Sequence, residues 1–356
     1  LVPPPGRHPD LLWSLIGNPK SVQGMKKLCV IPGDGIGPEV VPVAVEAIKL
    51  LVPDLEVLHA QAGWACFQQT GCAVPERTLD LMRECGAGLF GAVQSPAHQV
   101  TGYRSAILTL RQQLGLSVNL RPVRSWPFIS PKSGIDLMVL RENSEGLYVG
   151  REHMASPDKA IAERHISRQA SELLAQRAAQ VAQLRQARRI TLVHKANVLP
   201  LTCGLFRDSC RAVLEAQGLG SVLDERLVDV AALQLIEQPE SFDLVVTTNL
   251  FGDVLSDLAS YWSGGLATAP SLNWGQGIAL AEPVHGSAPD IAGSGRANPI
   301  AALLSAALLL RYHWELGDQA SRLEGAVDDF LKESKGVDFG VETTRRVSAG
   351  VLERIK

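Results

Sequence analysis

None of the six cysteines (29, 66, 72, 85, 203 and 210) stands in a C-x-x-C pair. Scattered thiols of this kind exclude a zinc ribbon and a disulfide framework. They read as free thiols of a reducing compartment, and the cytoplasm is the expected location. No run approaches the ~20 apolar residues of a membrane-spanning helix. A formal net charge of -3 leaves no basic footprint, which argues against a nucleic-acid partner. There is no internal repeat, no low-complexity tract and no Pro/Gly/Ser linker that would divide the chain cleanly. What remains is an ordinary globular composition, 46% hydrophobic and 20% charged over 356 residues, enough for one large domain or two that are interwoven.

The first 24 residues look foreign to the rest. Pro3, Pro4 and Pro5 open a loop-like run, and the apolar stretch 11–16 is too short for a signal core. Met25 is followed at once by a strand-like run, so Met25 is read as the natural start and residues 1–24 as a mobile extension. Beyond it, buried-strand patterns recur at 28–31, 88–91, 136–140, 189–193 and 244–248. Helical patterns fall at 39–51, 160–184, 203–216 and 299–310. Strands alternating with helices predict an α/β fold with a largely parallel sheet.

Thr247 to Ser260 reads TTNLFGDVLSDLAS, and it is the most informative stretch. A short β-branched strand ends at Thr247, a turn carrying Asn249 and Gly252 follows, and Asp253 and Asp257 then stand one helical turn apart. Like charges at that spacing destabilise a helix slightly. A shared cation would remove the cost, and carboxylate oxygens suit Mg²⁺ or Mn²⁺. Equally, Asp253, Ser256, Asp257 and Ser260 fall at i, i+3, i+4, i+7, the pattern of a solvated polar face. Position favours a site, because ligands of open α/β sheets gather beyond the carboxyl ends of strands.

Four further clusters carry chemistry. Gly33, Gly35 and Gly37 form a G-x-G-x-G turn after the first strand, which lacks the acidic residue of a dinucleotide fingerprint and is satisfied by a plain tight turn. Arg111, Arg121 and Arg141 sit beside apolar strands, as bidentate carboxylate binders do, although each alone is as readily a surface ion-pair partner. Lys195 closes an apolar strand, where a lysine serves as a base or pairs with an acid; its neighbour His194 reads as a packed side chain. Glu282 to Gly293 reads EPVHGSAPDIAG and leads to Asn298. Its small residues admit a flat or phosphorylated ligand, and Asp290 could accept bonds from a ribose 2′-OH while repelling a 2′-phosphate. An irregular loop before a helix is the simpler account.

Taken together and in order, these five motifs resemble the β-decarboxylating dehydrogenases of homoisocitrate, isocitrate and 3-isopropylmalate. The resemblance runs from about Met25 to Tyr312. It implies the isopropylmalate-dehydrogenase-like α/β fold, distinct from a Rossmann domain. Two interwoven domains would flank a cleft, the first from 25–116 plus 264–356 and the second from 117–263 with a dimer interface. It further implies that Asp253 and Asp257 hold Mg²⁺ or Mn²⁺ with Asp229 of the partner subunit. Arg111, Arg121 and Arg141, with Asn197, would bind the substrate. Tyr148 and the partner's Lys195 would form the acid/base pair. His285, Gly286, Ser287, Ala288, Asp290, Ile291 and Asn298 would bind the cofactor, and Asp290 with Ile291 matches the NAD-using members.

The segment 95–107 is expected to read the variable part of the substrate. Its Ser-Pro…Val-x-Gly-Tyr-x-Ser pattern looks most like homoisocitrate dehydrogenases. Ser105 matches a serine that contacts the distal carboxylate in isocitrate enzymes, and Arg104 stands where isopropylmalate enzymes have a glutamate. Gln99 and Ile107 depart from the pattern, in place of a lysine and an asparagine. The resemblance thus favours homoisocitrate, converted to 2-oxoadipate in lysine biosynthesis, ahead of isocitrate and 3-isopropylmalate, in a homodimer or tetramer. A non-catalytic subunit on the same fold would be free to lose the metal aspartates, Lys195 or Tyr148, and this chain keeps all of them.

Overall fold

The computed structural model describes residues 25–96, 98 and 100–356. The expected extension 1–24 and the departure at Gln99 lie outside the described residues. The strands are β1 (Lys27–Gly33), β2 (Glu56–His59), β3 (Ala87–Ala92), β4 (Val118–Arg124), β5 (Asp136–Glu142) and β6 (Glu152–Ser156). They continue with β7 (Lys159–Ala162), β8 (Ile190–His194), β9 (Leu223–Leu227), β10 (Leu244–Thr247), β11 (Pro270–Trp274) and β12 (Ala279–Pro283). Ten of them form one sheet in the order β2-β1-β3-β12-β11-β4-β5-β10-β8-β9. The α/β reading holds. Its two flanks are parallel, but β12, β11, β4 and β5 pair antiparallel, a central block that periodicity did not announce.

β3, β8 and β10 are buried along their whole length, which suits their unbroken apolar runs covered on both faces by helices. The largest core joins both chain ends: the Gly37–Leu51 helix packs with the helices Ile300–Leu308, Gly317–Ser334 and Thr343–Ile355. Among the described residues no helix is long and apolar enough to cross a membrane, and all six cysteines are free thiols.

Two local expectations are corrected. The helix predicted over 160–184 begins only at Arg168, capped by the Ser167 hydroxyl, which accepts the Ala170 N–H at 3.1 Å. Residues 160–162 instead belong to β7, which pairs with β6 in a hairpin exposed at every position. β-branched Ile161 and the Pro157-Asp158 turn suit a hairpin better than a helix start. Second, Asn249 and Gly252 do not form a turn. They lie inside the helix Asn249–Ser260, which follows β10 directly. Gly252 lets that helix approach the sheet, because a Cβ there would lie 2.7 Å from Arg141 Cβ.

Candidate active site

The helix Asn249–Ser260 turns most of its polar stripe toward the sheet. Ser256 and Ser260 are buried, Asp253 is partly buried and Asp257 stays half exposed, while apolar Leu250 and Val254 face outward. The stripe faces β4 and β5, whose arginines explain the inversion. Arg141, at the end of β5, is only 1% exposed. Its Nε and Nη2 donate to Asn249 Oδ1 at 3.0 and 2.7 Å, and its Nη1 donates to Asp253. Arg121 Nη1 donates to Ser256 Oγ and to Asp257 Oδ1, both at 2.9 Å, while its Nη2 lies 3.3 Å from Asp253. One guanidinium therefore bridges the two carboxylates.

Tyr148 completes this group. It sits in a short 3-10 turn, Leu147–Val149, flanked by Gly146 and Gly150 at positive φ. Its hydroxyl donates to Asp253 Oδ2, and the Arg141 guanidinium lies 5.0 Å above its ring. Burial pulls the Arg141 guanidinium down to about 10, with repulsion from Arg121 adding to it. Burial alone would raise the Asp253 carboxyl, but Arg141, the Tyr148 bond and Arg121 outweigh it and hold it below the usual range. Asp257 moves upward through burial and the nearby Asp253 charge, despite Arg121. The Tyr148 hydroxyl is raised by burial and by its bond to Asp253.

Arg111 lies in the last turn of the helix Ala106–Gln113, and its Nη2 donates to Glu282 Oε1 of β12 at 2.8 Å. Its buried Nε has no partner among the described residues. Three buried arginines from three elements thus converge and are balanced by Asp253, Asp257 and Glu282. Ser105 caps the same helix without a side-chain capping bond, its hydroxyl is unengaged among the described residues, and Arg104 beside it is exposed. Ile107 packs against the neighbouring apolar cluster with Tyr103.

Lys195 and Asp229 stand apart from this group. Lys195 follows β8, and its Nζ lies 2.5 Å from Asp229 Oδ1 in the first turn of the helix Val228–Glu237. The pairing with an acid is thus realised, and the hydrogen bond from Lys195 holds the Asp229 carboxyl low. Among the described residues no hydrogen bond or ion pair joins either to the Asp253 group, and no three acidic, histidine or cysteine side chains gather as a metal site within one chain. Asn197 is exposed beside Lys195, and His194 is buried with its Nδ1 accepting the Ala196 N–H at 3.2 Å.

The loop that follows β12 carries the remaining expected residues. The G-x-G-x-G turn is built against it: the Ile36 N–H donates to the Ser287 carbonyl at 2.9 Å, and a Cβ on Gly35 would lie 1.9 Å from that oxygen. Glu39 accepts the Gly293 and Gly295 N–H groups at 2.6 and 3.3 Å. His285 is held by Gly286 through Nδ1 at 3.0 Å, while its buried Nε2 has no partner among the described residues. Ala288 adopts a φ of 37°, Asp290 is exposed, Ile291 packs on the main core, and Asn298 Oδ1 accepts the Ile300 N–H at 3.1 Å. An orphaned ring nitrogen and side-chain-free space over Gly286 suit a flat ligand. The all-oxygen pair Asp253 and Asp257, bridged by the Arg121 guanidinium, has the donor chemistry that suits a hard divalent ion.

Several contributors escaped sequence reasoning. Glu39, Asn119 and Asn273 carry contacts of this region but form no motif, and Asn249 and Ser256, though part of the Thr247–Ser260 stretch, gave no sign of their bonds to Arg141 and Arg121. Asn119 had one usable signal, since it lies two residues before Arg121 and so shares its face of β4. A cleft of about 1120 Å³ is lined by Pro122, Arg124, Met138 and Trp274. Those are the alternate positions of β4, β5 and β11, so it opens on the opposite face of the sheet from Arg121, Arg141 and Asn273.

The isocitrate/isopropylmalate dehydrogenase family model matches residues 27–351. The chain is 46% identical to an isocitrate/homoisocitrate dehydrogenase of Thermus thermophilus, over 93% of this chain and 98% of that protein. It is also 46% identical to a 3-isopropylmalate dehydrogenase of Methanothermobacter thermautotrophicus, over 86% and 91% of the two chains. The crystal structure of an isocitrate dehydrogenase from Methylococcus capsulatus superposes with a TM-score of 0.86 at 37% identity, covering 93% of this chain and 99% of that one.

Proposed function

This chain belongs to the isocitrate/isopropylmalate dehydrogenase family and is a β-decarboxylating dehydrogenase, and from that premise we propose that it oxidises homoisocitrate to 2-oxoadipate with NAD⁺ and a divalent cation. Equal identity to relatives named for different substrates means that overall similarity does not discriminate among them. The observation that carries the choice is local. Ser105 presents an unengaged hydroxyl at the start of the helix whose last turn holds Arg111, about 9 Å away at 1.5 Å per residue. A free hydroxyl, the first N–H groups of that helix and exposed Arg104 favour an anionic substituent over an isopropyl group.

In this reading Arg111, Arg121 and Arg141 grip the substrate carboxylates, and their present partners Asp253 and Asp257 are released to a metal. Mg²⁺ or Mn²⁺ bound there would supply a Lewis acid, and bound NAD⁺ a hydride acceptor. Lys195 accepts the substrate hydroxyl proton. Tyr148, kept protonated by burial, returns a proton to carbon after carbon dioxide leaves. Asn197 contributes to substrate binding, and His285 to Asn298 seat the adenosine half of the cofactor.

The site requires two subunits in this proposal, with Lys195 and Asp229 each serving the partner's cluster. Two observations support a dimer. Apolar side chains stand exposed on neighbouring helices, Val230 and Leu233 on one and Leu250 and Val254 on the other. The β6–β7 hairpin is exposed at every position, and an isolated hairpin is marginal in water. The division into 25–116 plus 264–356 and 117–263 places its boundary within the antiparallel centre of the sheet, between β11 and β4.

Absorbance of NADH formed from homoisocitrate, isocitrate and 3-isopropylmalate tests the substrate. The highest kcat/KM is expected with homoisocitrate, and a highest value with 3-isopropylmalate would overturn the proposal. The cofactor assignment is tested separately. Asp290→Lys combined with Ile291→Tyr removes a charge that repels a 2′-phosphate and adds one that attracts it. The ratio of kcat/KM for NADP⁺ to that for NAD⁺ is expected to rise at least about tenfold, the equivalent of 1.4 kcal/mol. An unchanged ratio would remove Asp290 from the ribose contact.

A further inference from the structure

We propose that Asn273 and Asn119 are positioning residues that hold Arg111 and Arg121 at a fixed spacing, through a buried polar relay across the central strands. The proposal rests on the assignment of those arginines to the substrate carboxylates. The relay begins at Arg111, whose Nη2 donates to Glu282 Oε1 on β12. The same oxygen accepts Asn273 Nδ2 of β11 at 2.8 Å. Asn273 Oδ1 accepts Asn119 Nδ2 of β4 at 3.0 Å, and Asn119 Oδ1 accepts Arg121 Nε at 2.8 Å. Asn273 and Asn119 lie directly opposite each other in the register of β11 and β4, and Asn119 lies opposite Arg141 of β5.

Both asparagines are fully buried, in strands whose adjacent paired residues are Leu272 and Leu120. An apolar pair there would avoid the cost of burying two amides, so the amides are retained for what they hold. Asn273 uses its whole capacity. Nδ2 donates to Glu282 and to the Leu280 carbonyl at 3.2 Å, and Oδ1 accepts from Asn119 and from Asn143 Nδ2 at 2.9 Å. This leaves a single amide orientation. Asn143 also donates to the Leu116 carbonyl at 3.1 Å, and the Leu116 N–H donates to the Arg111 carbonyl at 2.9 Å. The Arg111 backbone and its guanidinium are therefore both tied to Asn273.

The consequence concerns geometry. Arg111 comes from a helix and Arg121 from a strand, and each long side chain has rotamer freedom to lose on binding. With Nη2 of Arg111 and Nε of Arg121 anchored to one rigid sheet, the two guanidinium groups face the substrate already spaced for two carboxylates. Glu282 neutralises Arg111 without blocking its Nε, and Asn119 is uncharged, so the anchors do not compete with the substrate for the whole guanidinium.

Steady-state kinetics on the intact enzyme test this, with KM and kcat measured separately for the acid and for NAD⁺. Asn273→Leu is expected to lower kcat/KM for the acid roughly ten- to hundredfold, as loss of a supporting partner does, with KM for NAD⁺ unchanged. In a double-mutant cycle its effect and that of Arg121→Lys should be non-additive, because the second change acts on a guanidinium already released. Asn119→Ala adds no charge beside Arg121 and removes both the acceptor for Arg121 and the donor toward Asn273. It should shift the acid kcat/KM in the same direction, and it decides the matter if Asn273→Leu does not fold.

A merely structural role predicts lower thermal stability, equal effects on acid and NAD⁺, and additivity with Arg121→Lys, and that pattern would overturn the relay. So would Asn273→Leu and Asn119→Ala enzymes with unaltered acid kinetics while Arg121→Lys raises KM for the acid. If Arg121→Lys itself leaves the acid kinetics unaltered, the carboxylate reading fails and the relay falls with it.

Discussion

Enzyme carrying Lys195→Met is expected to lose turnover by about three orders of magnitude, the scale of a lost general base. Asp253→Asn is expected to be similarly inactive. Co-expression of the two inactive chains should nevertheless restore activity. Among the described residues the Lys195–Asp229 pair stands apart from the Arg121–Arg141–Asp253 group, and in the proposed mechanism each half of the chemistry takes its complement from another subunit. A mixed dimer carries both lesions in one site and none in the other. Random pairing makes half of the dimers mixed, so about a quarter of the wild-type kcat should return. No recovery in the mixture or in the isolated heterodimer, with mixed dimers verified by mass, would mean that each site is completed within its own chain.

Removing divalent cations with EDTA should reduce turnover to background, and Mg²⁺ or Mn²⁺ should restore it. The physical basis lies in the helix Asn249–Ser260, where two carboxylates one turn apart are bridged by Arg121. A substrate that draws Arg121 away leaves two adjacent negative charges, and a hard cation relieves that repulsion. Binding to the folded state alone adds about 2.7 kcal/mol of stability at a concentration one hundred times Kd. Thermal unfolding of the substrate-bound enzyme should therefore shift upward with Mg²⁺, and Asp253→Asn or Asp257→Asn should abolish the shift. A full Mg²⁺ shift in the Asp257→Asn protein would remove Asp257 from the metal set.

Much of the fold is legible in the chain because local signals and tertiary demands agree. The unbroken apolar runs of β3, β8 and β10 are buried at every position, and the predicted helix at 203–216 is the observed Thr202–Ala216 to within one residue. Where a local signal was ambiguous, long-range packing decided. The i, i+3, i+4, i+7 polar stripe of 253–260 is identical whether it meets water or arginines. Its turn toward the sheet depends on β4 and β5, more than a hundred residues earlier in the chain, and on the absence of a side chain at Gly252. The helix start at Arg168 and the β6–β7 hairpin before it were hidden because β7 has only four residues, and its consecutive Ala160-Ile161-Ala162 run shows no strand period that would set it apart from a helix.

The sequence by itself determined the alternation of strands and helices, the residue types able to grip carboxylates and hold a cation, and, through five ordered motifs, the family resemblance. Each of these is carried by residues close together in the chain, where spacing translates into shared helix faces and strand ends. Only the tertiary structure decided which of those residues meet. It gathered Arg111, Arg121, Arg141, Tyr148, Asp253 and Asp257, set Lys195 and Asp229 apart as their own pair, and linked two arginines through Asn119 and Asn273. Strand order and register govern those encounters, and they arise from long-range pairing among segments that carry no local record of one another.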